Sequence, residues 1–183
     1  MRLALISDIH GNAVALEAVL DDIQKEHIDQ IICLGDLATL GPQPRESIAR
    51  VRALGCPCIL GNHDEFLLDG NLIHTYTQEP VLLKSVEWCR QQVTADDLAY
   101  IKTFPATLKV DLDARNTLLC FHGSPRSNTE VIVASTPNAE VKEMLDGHLA
   151  TIMAGGHTHI QMLRQYKDGF FLLNPGSVGE PFD

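Results

Sequence analysis

Short apolar runs in this chain end directly on polar residues that can bind metals or move protons. The pattern occurs at six places: on Asp8 and His10, Gly35-Asp36, Gly61-Asn62-His63-Asp64, His122-Gly123, His157 and His159, and Asn174-Pro175-Gly176. Such runs are typical of buried strands, and in open α/β sheets the functional site lies at the carboxyl ends of the strands. Chance accounts for one or two such ends more easily than for six. The pattern therefore predicts that the ends meet at one site.

The order of elements predicts an α/β fold in a single domain, residues 1–183. Strands are predicted over residues 3–7, 30–34 and 57–60, with helices over 12–26 and 45–54 between them. This alternation indicates parallel pairing with right-handed crossovers. Residues 65–105 are helical in character, most clearly over 81–92 and 95–103, and this segment is expected to flank the site. Further strands are predicted over 107–110, 117–121, 151–154 and 170–173, with a turn over 111–116 and a helix over 136–145.

Charge and composition exclude several classes of function. The net charge of −10 argues against broad nucleic-acid binding and against docking on anionic membranes. The N-terminal apolar run is too short for a signal peptide, and no run approaches the roughly 18 apolar residues of a membrane span. We therefore expect a cytoplasmic protein. The five cysteines are interpreted as free thiols, since Cys56-Pro57-Cys58 lacks the Cys-x-x-Cys spacing of a redox or metal pair.

The strand ends supply a mixed set of candidate metal ligands. The set is Asp8, His10, Asp36, Asn62, His122, His157 and His159. Histidine and carboxylate ligands together suit divalent first-row metals such as Mn, Fe, Zn, Co or Ni. Seven ligands are too many for one catalytic ion with an open position, and they suit two ions that share a bridge. Asp36, which stands alone after a glycine, is placed as a bridging carboxylate would be.

These motifs resemble, in order, those of the calcineurin-like metallophosphoesterases. The likeness runs from residue 3 to about residue 179, and the strings DIHGN and NPGSVG are similar to those of the small bacterial and archaeal phosphodiesterase branch. The resemblance implies a four-layer α/β/β/α sandwich with two sheets. Members of that branch usually continue past NPGSVG, which leaves open whether the C-terminal strands of the second sheet are missing here.

The resemblance also implies a role for each motif residue. Asp8, His10, Asp36 and His159 would hold one metal, and Asp36, Asn62, His122 and His157 the other, with manganese as the expected ion. A hydroxide between the ions would attack phosphorus in line. His63 would donate a hydrogen bond to the phosphate or a proton to the leaving oxygen, and Asp64 would orient His63. The expected activity is that of a phosphodiesterase on a small phosphate ester. The protein serine/threonine phosphatases of this superfamily carry the string GDxxDRG. The corresponding string here, GDLATLG, lacks the second Asp and the Arg, which argues against a phosphoprotein phosphatase.

Several alternatives stay open from the sequence. Asn62 is expected to contact the substrate as well as the metal. Asn12 is either a phosphate contact or an ordinary helix N-cap, and Arg126 is either a phosphate contact or a solvated loop arginine. A non-catalytic scaffold with the same fold competes with the enzyme; the retromer scaffold subunit resembles a form that has lost motif histidines, whereas the full set stands here. A phosphomonoesterase or a nuclease would share the metals. The oligomeric state is open, with a dimer among the options.

Overall fold

The structure, a computed structural model, describes residues 1–145, 147–148, 150–166 and 169–182. Its elements in chain order are β1 (Leu3–Ile6), α1 (Ala13–Ile23), a short 3₁₀ helix (Gln24–Glu26), β2 (Gln30–Cys33), α2 (Pro44–Leu54), α3 (Asn62–Leu68), α4 (Ile73–Tyr76), α5 (Pro80–Gln92), α6 (Ala95–Ile101), β3 (Thr107–Asp111), β4 (Thr117–Phe121), α7 (Asn138–Met144), β5 (Ile152–Ala154), β6 (Met162–Gln165) and β7 (Phe171–Asn174). No helix of the described ranges is long and apolar enough to cross a membrane.

The N-terminal half builds a small parallel sheet from β1 and β2, paired from Leu3 with Gln30 to Ile6 with Cys33. The prediction of a strand over residues 57–60 is wrong, because these residues do not form a regular strand. That stretch runs beside β2 but contributes only an isolated bridge, Cys33 with Cys58, among the described residues. Pro57 has no N–H to donate to a ladder, and the chain turns into α3 directly after Gly61. The stretch therefore ends before a regular ladder can form.

Helices cover the outer face of this small sheet. The helices α1, α2, α3, α5 and α6 each contribute to the core there, through the buried side chains of Leu16, Ile48, Leu67, Cys89 and Ile101 respectively. The segment predicted to be helical over residues 65–105 contains α4, α5, α6 and most of α3, which confirms that expectation. The helix predicted over 12–26 is present as α1 followed by the 3₁₀ turn.

The second sheet has five strands in the described residues, in the order β3-β4-β5-β7-β6. Its centre, β4-β5-β7, is parallel, and β3 and β6 are antiparallel edges. The turn predicted between β3 and β4 is confirmed by the hydrogen bond from Leu112 N to Asn116 O (2.9 Å). The strand β6 was not predicted, because its residues MLRQ alternate between half-buried and exposed and lack the continuous apolar run of a central strand.

Three apolar clusters define the layers. Ile32 and Leu34 of the first sheet contact Leu118, Cys120 and Ala154 of the second, which places one core between the sheets. The helices of the first half form an outer layer, and α7 packs on the far side of the second sheet through its buried Val141 and the adjoining Leu145. The predicted α/β/β/α sandwich is therefore confirmed. All five cysteines are free thiols, as predicted.

Candidate metal centre

The carboxyl ends of strands from both sheets meet at one edge of the sandwich. Six of the seven predicted ligands form two clusters there, and the potential ligand atoms within each cluster lie within 4.8 Å of one another. The first cluster is Asp8, His10 and His159, and the second is Asp36, His122 and His157. This division is the one that the motif resemblance implied. The prediction that the strand ends converge is confirmed.

Asp36 lies between the two clusters. Its Oδ2 is 3.1 Å from His122 Nε2 and 3.8 Å from His10 Nε2, so one oxygen faces a histidine of each cluster. Its Oδ1 accepts a hydrogen bond from His63 N (2.9 Å), which fixes the orientation of the carboxylate. Asn62, the seventh predicted ligand, is fully buried and places Oδ1 3.1 Å from His122 Nε2. Asn62 therefore belongs to the second cluster.

The first cluster has polar atoms that protein groups leave unsatisfied. The Nε2 atoms of His10 and His159 are 2.9 Å apart. Asp8 Oδ1 is 3.3 Å from His159 Nε2 and 3.8 Å from His10 Nε2, yet it is buried and accepts no hydrogen bond within the described ranges. A buried carboxylate oxygen without a donor is strongly unfavourable. Two ring nitrogens and an orphaned carboxylate oxygen that converge in this way fit a divalent cation.

Three of the candidate ligands, His122, His159 and Asp8, have outer atoms that are hydrogen-bonded so that their inner atoms face the centre. His122 Nδ1 lies 2.6 Å from Leu34 O, and His159 Nδ1 lies 2.8 Å from Glu180 O. A ring N–H that donates to a carbonyl leaves the other nitrogen with a lone pair for a metal. Asp8 Oδ2 accepts from Ser7 Oγ (2.5 Å) and His157 N (3.1 Å). The site therefore has the outer support that metal ligands require.

The backbone at the ligands is strained. Residues with φ in the left-handed region include Asp8 (55°), His10 (47°), Asp36 (58°), His157 (68°) and His159 (60°). A non-glycine residue in this region costs about 1 kcal/mol or more, and it persists only where the surrounding structure holds it. Five strained ligands in one place indicate that the fold maintains this conformation to orient the side chains.

The loop AGGHTHI depends on Gly156 for close approach. A Cβ at Gly156 would collide with Ser7 Oγ and would lie 2.8 Å from Asp8 Oδ2, so only glycine fits. Asn174, the last strand end, donates from Nδ2 to Gly156 O (2.5 Å) and to Thr158 Oγ1 (3.0 Å). Asn174 thus holds the loop that carries His157 and His159.

Burial and charge set the protonation of the centre. Burial lowers the pKa of His10 and of His157 to about 4. Burial also disfavours a charge on His122, but the negative charge of Asp36 and the hydrogen bond between the two raise the pKa of His122 to about 10. Burial opposes ionisation of Asp36, yet the charges of His122 and His63 hold the pKa of Asp36 well below its usual range. His10 and His157 are therefore neutral at pH 7, the form in which imidazole binds metals.

The partner of His63 is not the one expected. Asp64 Oδ2 accepts hydrogen bonds from the backbone N–H groups of Asp36 (2.8 Å) and Gly61 (3.0 Å), and its Oδ1 accepts from Leu37 N (3.0 Å). These bonds hold the Asp36 loop and correct the expectation that Asp64 orients His63. His63 Nδ1 instead lies 2.7 Å from the hydroxyl of Thr39, which is fully buried.

The sequence analysis missed Thr39, although a signal was present. In the string GDLATLG, Thr39 stands at the position of the second Asp of GDxxDRG. From the sequence, the missing Asp gave a prediction about substrate class and none about the neighbour of His63. The structure shows that a hydroxyl occupies the place beside the histidine ring.

Comparison with known proteins decides the family. A model of the calcineurin-like phosphoesterase superfamily domain matches residues 1–183. The chain belongs to this superfamily. A crystal structure of a metallophosphoesterase from Sphaerobacter thermophilus is 30% identical, with a TM-score of 0.77, and the match covers 100% of this chain and 79% of that one. Phosphoesterases of the superfamily use divalent metals, and the two clusters provide candidate ligands for them.

Two further relatives differ in how much of each chain they match. An uncharacterized protein of Methanocaldococcus jannaschii is 28% identical over 195 residues, which covers 99% of this chain and 77% of that protein. A symmetrical bis(5'-nucleosyl)-tetraphosphatase of Erwinia tasmaniensis is 44% identical over 71 residues, but the match covers only 37% of this chain and 26% of that enzyme.

Asn12 and Arg126, the two further candidates for contact with the substrate, have partners within the protein. Asn12 Oδ1 accepts from Ala15 N (3.0 Å) as the N-cap of α1, and its Nδ2 donates to Gly179 O (3.1 Å). Arg126 makes a close ion pair with Glu130, with 2.7 Å between Nη2 and Oε1. These contacts favour the N-cap interpretation of Asn12 and give Arg126 a carboxylate partner within the protein, which weakens both as phosphate contacts.

Proposed function

We propose that this phosphoesterase is a phosphodiesterase that works with two divalent metal ions. The observation that carries the proposal is the position of Asp36, whose Oδ2 faces His122 of one cluster and His10 of the other. A carboxylate placed in this way suits a shared ligand of two ions. The unsatisfied Asp8 Oδ1 in the first cluster supports the same conclusion, because a cation would remove its penalty.

In this proposal each ion has four protein ligands. Asp8, His10, His159 and Asp36 would hold the first ion, and Asp36, Asn62, His122 and His157 would hold the second. When bound, a pair of divalent ions lowers the pKa of water to about 7 and neutralises the charge on a phosphoryl group. Phosphoryl transfer needs such positioning and charge neutralisation more than covalent help. The mixed nitrogen and oxygen ligands suit manganese, which is the metal that we expect.

His63 is proposed to assist the leaving oxygen. Its ring lies 5.0 Å from that of His10 between centroids, at the side of the first cluster. Burial lowers the pKa of His63, so the ring is neutral at pH 7 and carries one proton. In this proposal the Thr39 hydroxyl donates a hydrogen bond to Nδ1, so that the ring proton stands on Nε2, from which it can be donated to a leaving oxygen. Asp64 contributes by holding the backbone at Asp36 and Gly61.

A small diester is the substrate class that these features favour. The string GDLATLG has neither the second Asp nor the Arg of the phosphoprotein phosphatase string. The partial match to a tetraphosphatase that acts on bis(5'-nucleosyl) compounds supports a small phosphate ester. The complete set of seven potential ligands argues against a non-catalytic scaffold. We expect the protein to work in the cytoplasm.

Metal analysis combined with a substrate panel tests the proposal. Purified protein would be reconstituted with Mn²⁺ and assayed on bis-p-nitrophenyl phosphate, p-nitrophenyl phosphate, and 2′,3′- and 3′,5′-cyclic nucleotides. We expect two ions per chain and faster turnover of diesters than of the monoester. Absence of both metal and turnover would favour the scaffold instead. Preference for the monoester would identify a phosphomonoesterase.

A matched pair of histidine variants tests the role of His63. His63→Ala should keep both metals and lower kcat on the diester by about a hundredfold, the scale of a general acid. His148→Ala, which removes an exposed histidine outside both clusters, should leave kcat unchanged. A fully active His63→Ala variant would show that the role is wrong.

A further inference from the structure

Tyr76 lies beside the candidate metal centre and has no role in the site described so far. It is the last residue of α4, and its ring centroid is 6.4 Å from that of His63 and 6.4 Å from that of His157. His63 lies in the first turn of α3 in the N-terminal half, whereas His157 follows β5 of the second sheet. The Tyr76 ring therefore spans the two halves of the site at its edge.

The ring is held in place on one side and open on the other. Phe66, which is only 3% exposed, lies 5.6 Å from Tyr76 between centroids and 5.0 Å from His63. Ile73, one helical turn earlier, is buried in a cluster with Phe66 and anchors α4. Tyr76 itself is 46% exposed. An anchored ring with a solvent-facing surface is preorganised for contact with a ligand, because little side-chain entropy is lost on binding.

The environment of Tyr76 suits a flat apolar group. Its hydroxyl forms no hydrogen bond with the residues that the structure describes, so it is free to meet a ligand. The two site histidines and Phe66 present ring edges and faces around it, in tilted and edge-on arrangements. A group esterified to a phosphate at the two clusters can reach this edge, because His63 and His157 lie next to both the clusters and the Tyr76 ring.

We propose that Tyr76 is a specificity-determining residue that stacks on an aromatic ring carried by the phosphate ester, such as a nucleobase. The inference rests on the proposed function, since it takes the phosphate position from the two-metal site. Stacking of a base on an aromatic side chain strengthens binding about tenfold and tolerates different bases. Tyr76 thus favours nucleotide esters over esters of ribose or other saturated groups, without distinguishing strongly among the bases.

Direct binding measurements separate this role from one in catalysis. Calorimetric titration of Mn²⁺-loaded protein with adenosine 5′-monophosphate and with ribose 5-phosphate compares two ligands that differ only by the base. The wild type should bind adenosine 5′-monophosphate about tenfold more tightly. Tyr76→Leu should remove that advantage, Tyr76→Phe should retain it, and the affinity for ribose 5-phosphate should stay the same in all three. Val81→Ala, which shortens an exposed side chain on α5, is the control and should retain the full advantage.

Four outcomes would overturn the proposal: equal binding of the two ligands by the wild type, equal weakening of both by Tyr76→Leu, retention of the base advantage in Tyr76→Leu, or its loss in Tyr76→Phe. The same samples are assayed on bis-p-nitrophenyl phosphate. Turnover there with no base advantage would refute the stacking role and leave the phosphodiesterase intact. Base-dependent binding without turnover would support the stacking role and refute the proposed function.

Discussion

The candidate metal centre and the corner where α2 meets α6 differ in how a buried carboxylate is satisfied. At the corner, Thr94 and Asp97 form a reciprocal capping box at the start of α6, and Arg52 pairs with Asp96 at 2.5 Å. The buried Asp97 carboxylate there accepts hydrogen bonds from Thr94 N (2.8 Å) and Thr94 Oγ1 (2.7 Å). At the metal centre, Asp8 Oδ1 is buried without a hydrogen bond and five ligands have left-handed φ values.

This difference indicates what stabilises each region. Capping interactions stabilise the helix whether or not a ligand is bound. The strained backbone of the candidate ligands and the orphaned oxygen destabilise the metal-free protein, and we expect a bound cation to reverse part of that penalty. Removing a group from the centre should therefore affect activity and metal response, whereas removing a cap should affect only stability. Four predictions test this contrast.

The largest effect is expected from Asp36→Asn, which keeps the shape of the side chain and removes the shared charge. The variant should hold fewer than two ions and lose about a thousandfold in kcat/KM on a diester, because the charge stabilisation from a metal is worth several kcal/mol. Metal content per chain and steady-state kinetics measure this. Two tightly bound ions in the variant would show that Asp36 is not the shared ligand.

The second effect is a metal-dependent gain in thermal stability. At a free metal concentration about a hundred times Kd, each ion that binds to the folded state adds about 2.7 kcal/mol, which raises Tm by about 5–10 °C per ion for a domain of this size. Melts with chelator and with Mn²⁺ give the shift. Asp97→Asn should show the same shift and Asp36→Asn a smaller one. Equal melting temperatures with and without metal would contradict the contrast between the two regions.

A smaller effect is expected at Thr39, which contacts His63 and no ligand cluster directly in the hydrogen bonds described above. Thr39→Val removes the hydroxyl at nearly constant volume and should lower kcat about tenfold, the scale for a residue that orients a catalytic group. KM and metal content should change little. Thr39→Ser restores the hydroxyl and should recover most of the rate. If Ser and Val variants behaved alike, the hydroxyl would not be the acting group.

The smallest effect belongs to the capping box. Burial opposes ionisation of Asp97, but hydrogen bonds from Thr94 and the charges of Arg45 and Arg52 lower its pKa. A lowered folded-state pKa means that its contribution is complete at neutral pH and is lost as the pH falls through that lowered value. Asp97→Asn should therefore reduce the free energy of unfolding at pH 7 by about 1 kcal/mol and flatten the acid limb of the stability profile.

Denaturant unfolding between neutral and acidic pH measures this effect, with Asp21→Asn on an exposed position of α1 as the control. Activity with Mn²⁺ should be unchanged in both variants. A loss of activity in Asp97→Asn at full folding would mean that the corner and the metal centre are coupled.

Much of the fold and of the candidate site could be predicted from the sequence. Apolar runs that end on polar motifs predicted the strand ends, because side chains after buried parallel strands meet at one edge. The positions of Asp8, His10, Asp36, His122, His157 and His159 followed from that pattern. The helical segment over 65–105 followed from its periodicity. Patterns of this kind lie within short stretches of sequence, so they can be recognised without the tertiary structure.

The tertiary structure alone decided which groups face one another across long sequence distances. The contact of Thr39 with His63 joins residues 24 apart, and the Asp64 carboxylate turns to the backbone at Asp36 because that loop lies against α3. The edge strand β6 and the single bridge at Cys58 depend on pairing geometry that the residues themselves do not encode strongly. Tyr76 reads as an ordinary tyrosine in a short helix, and only the packing of α4 on Phe66 places its ring beside two histidines from separate halves of the chain.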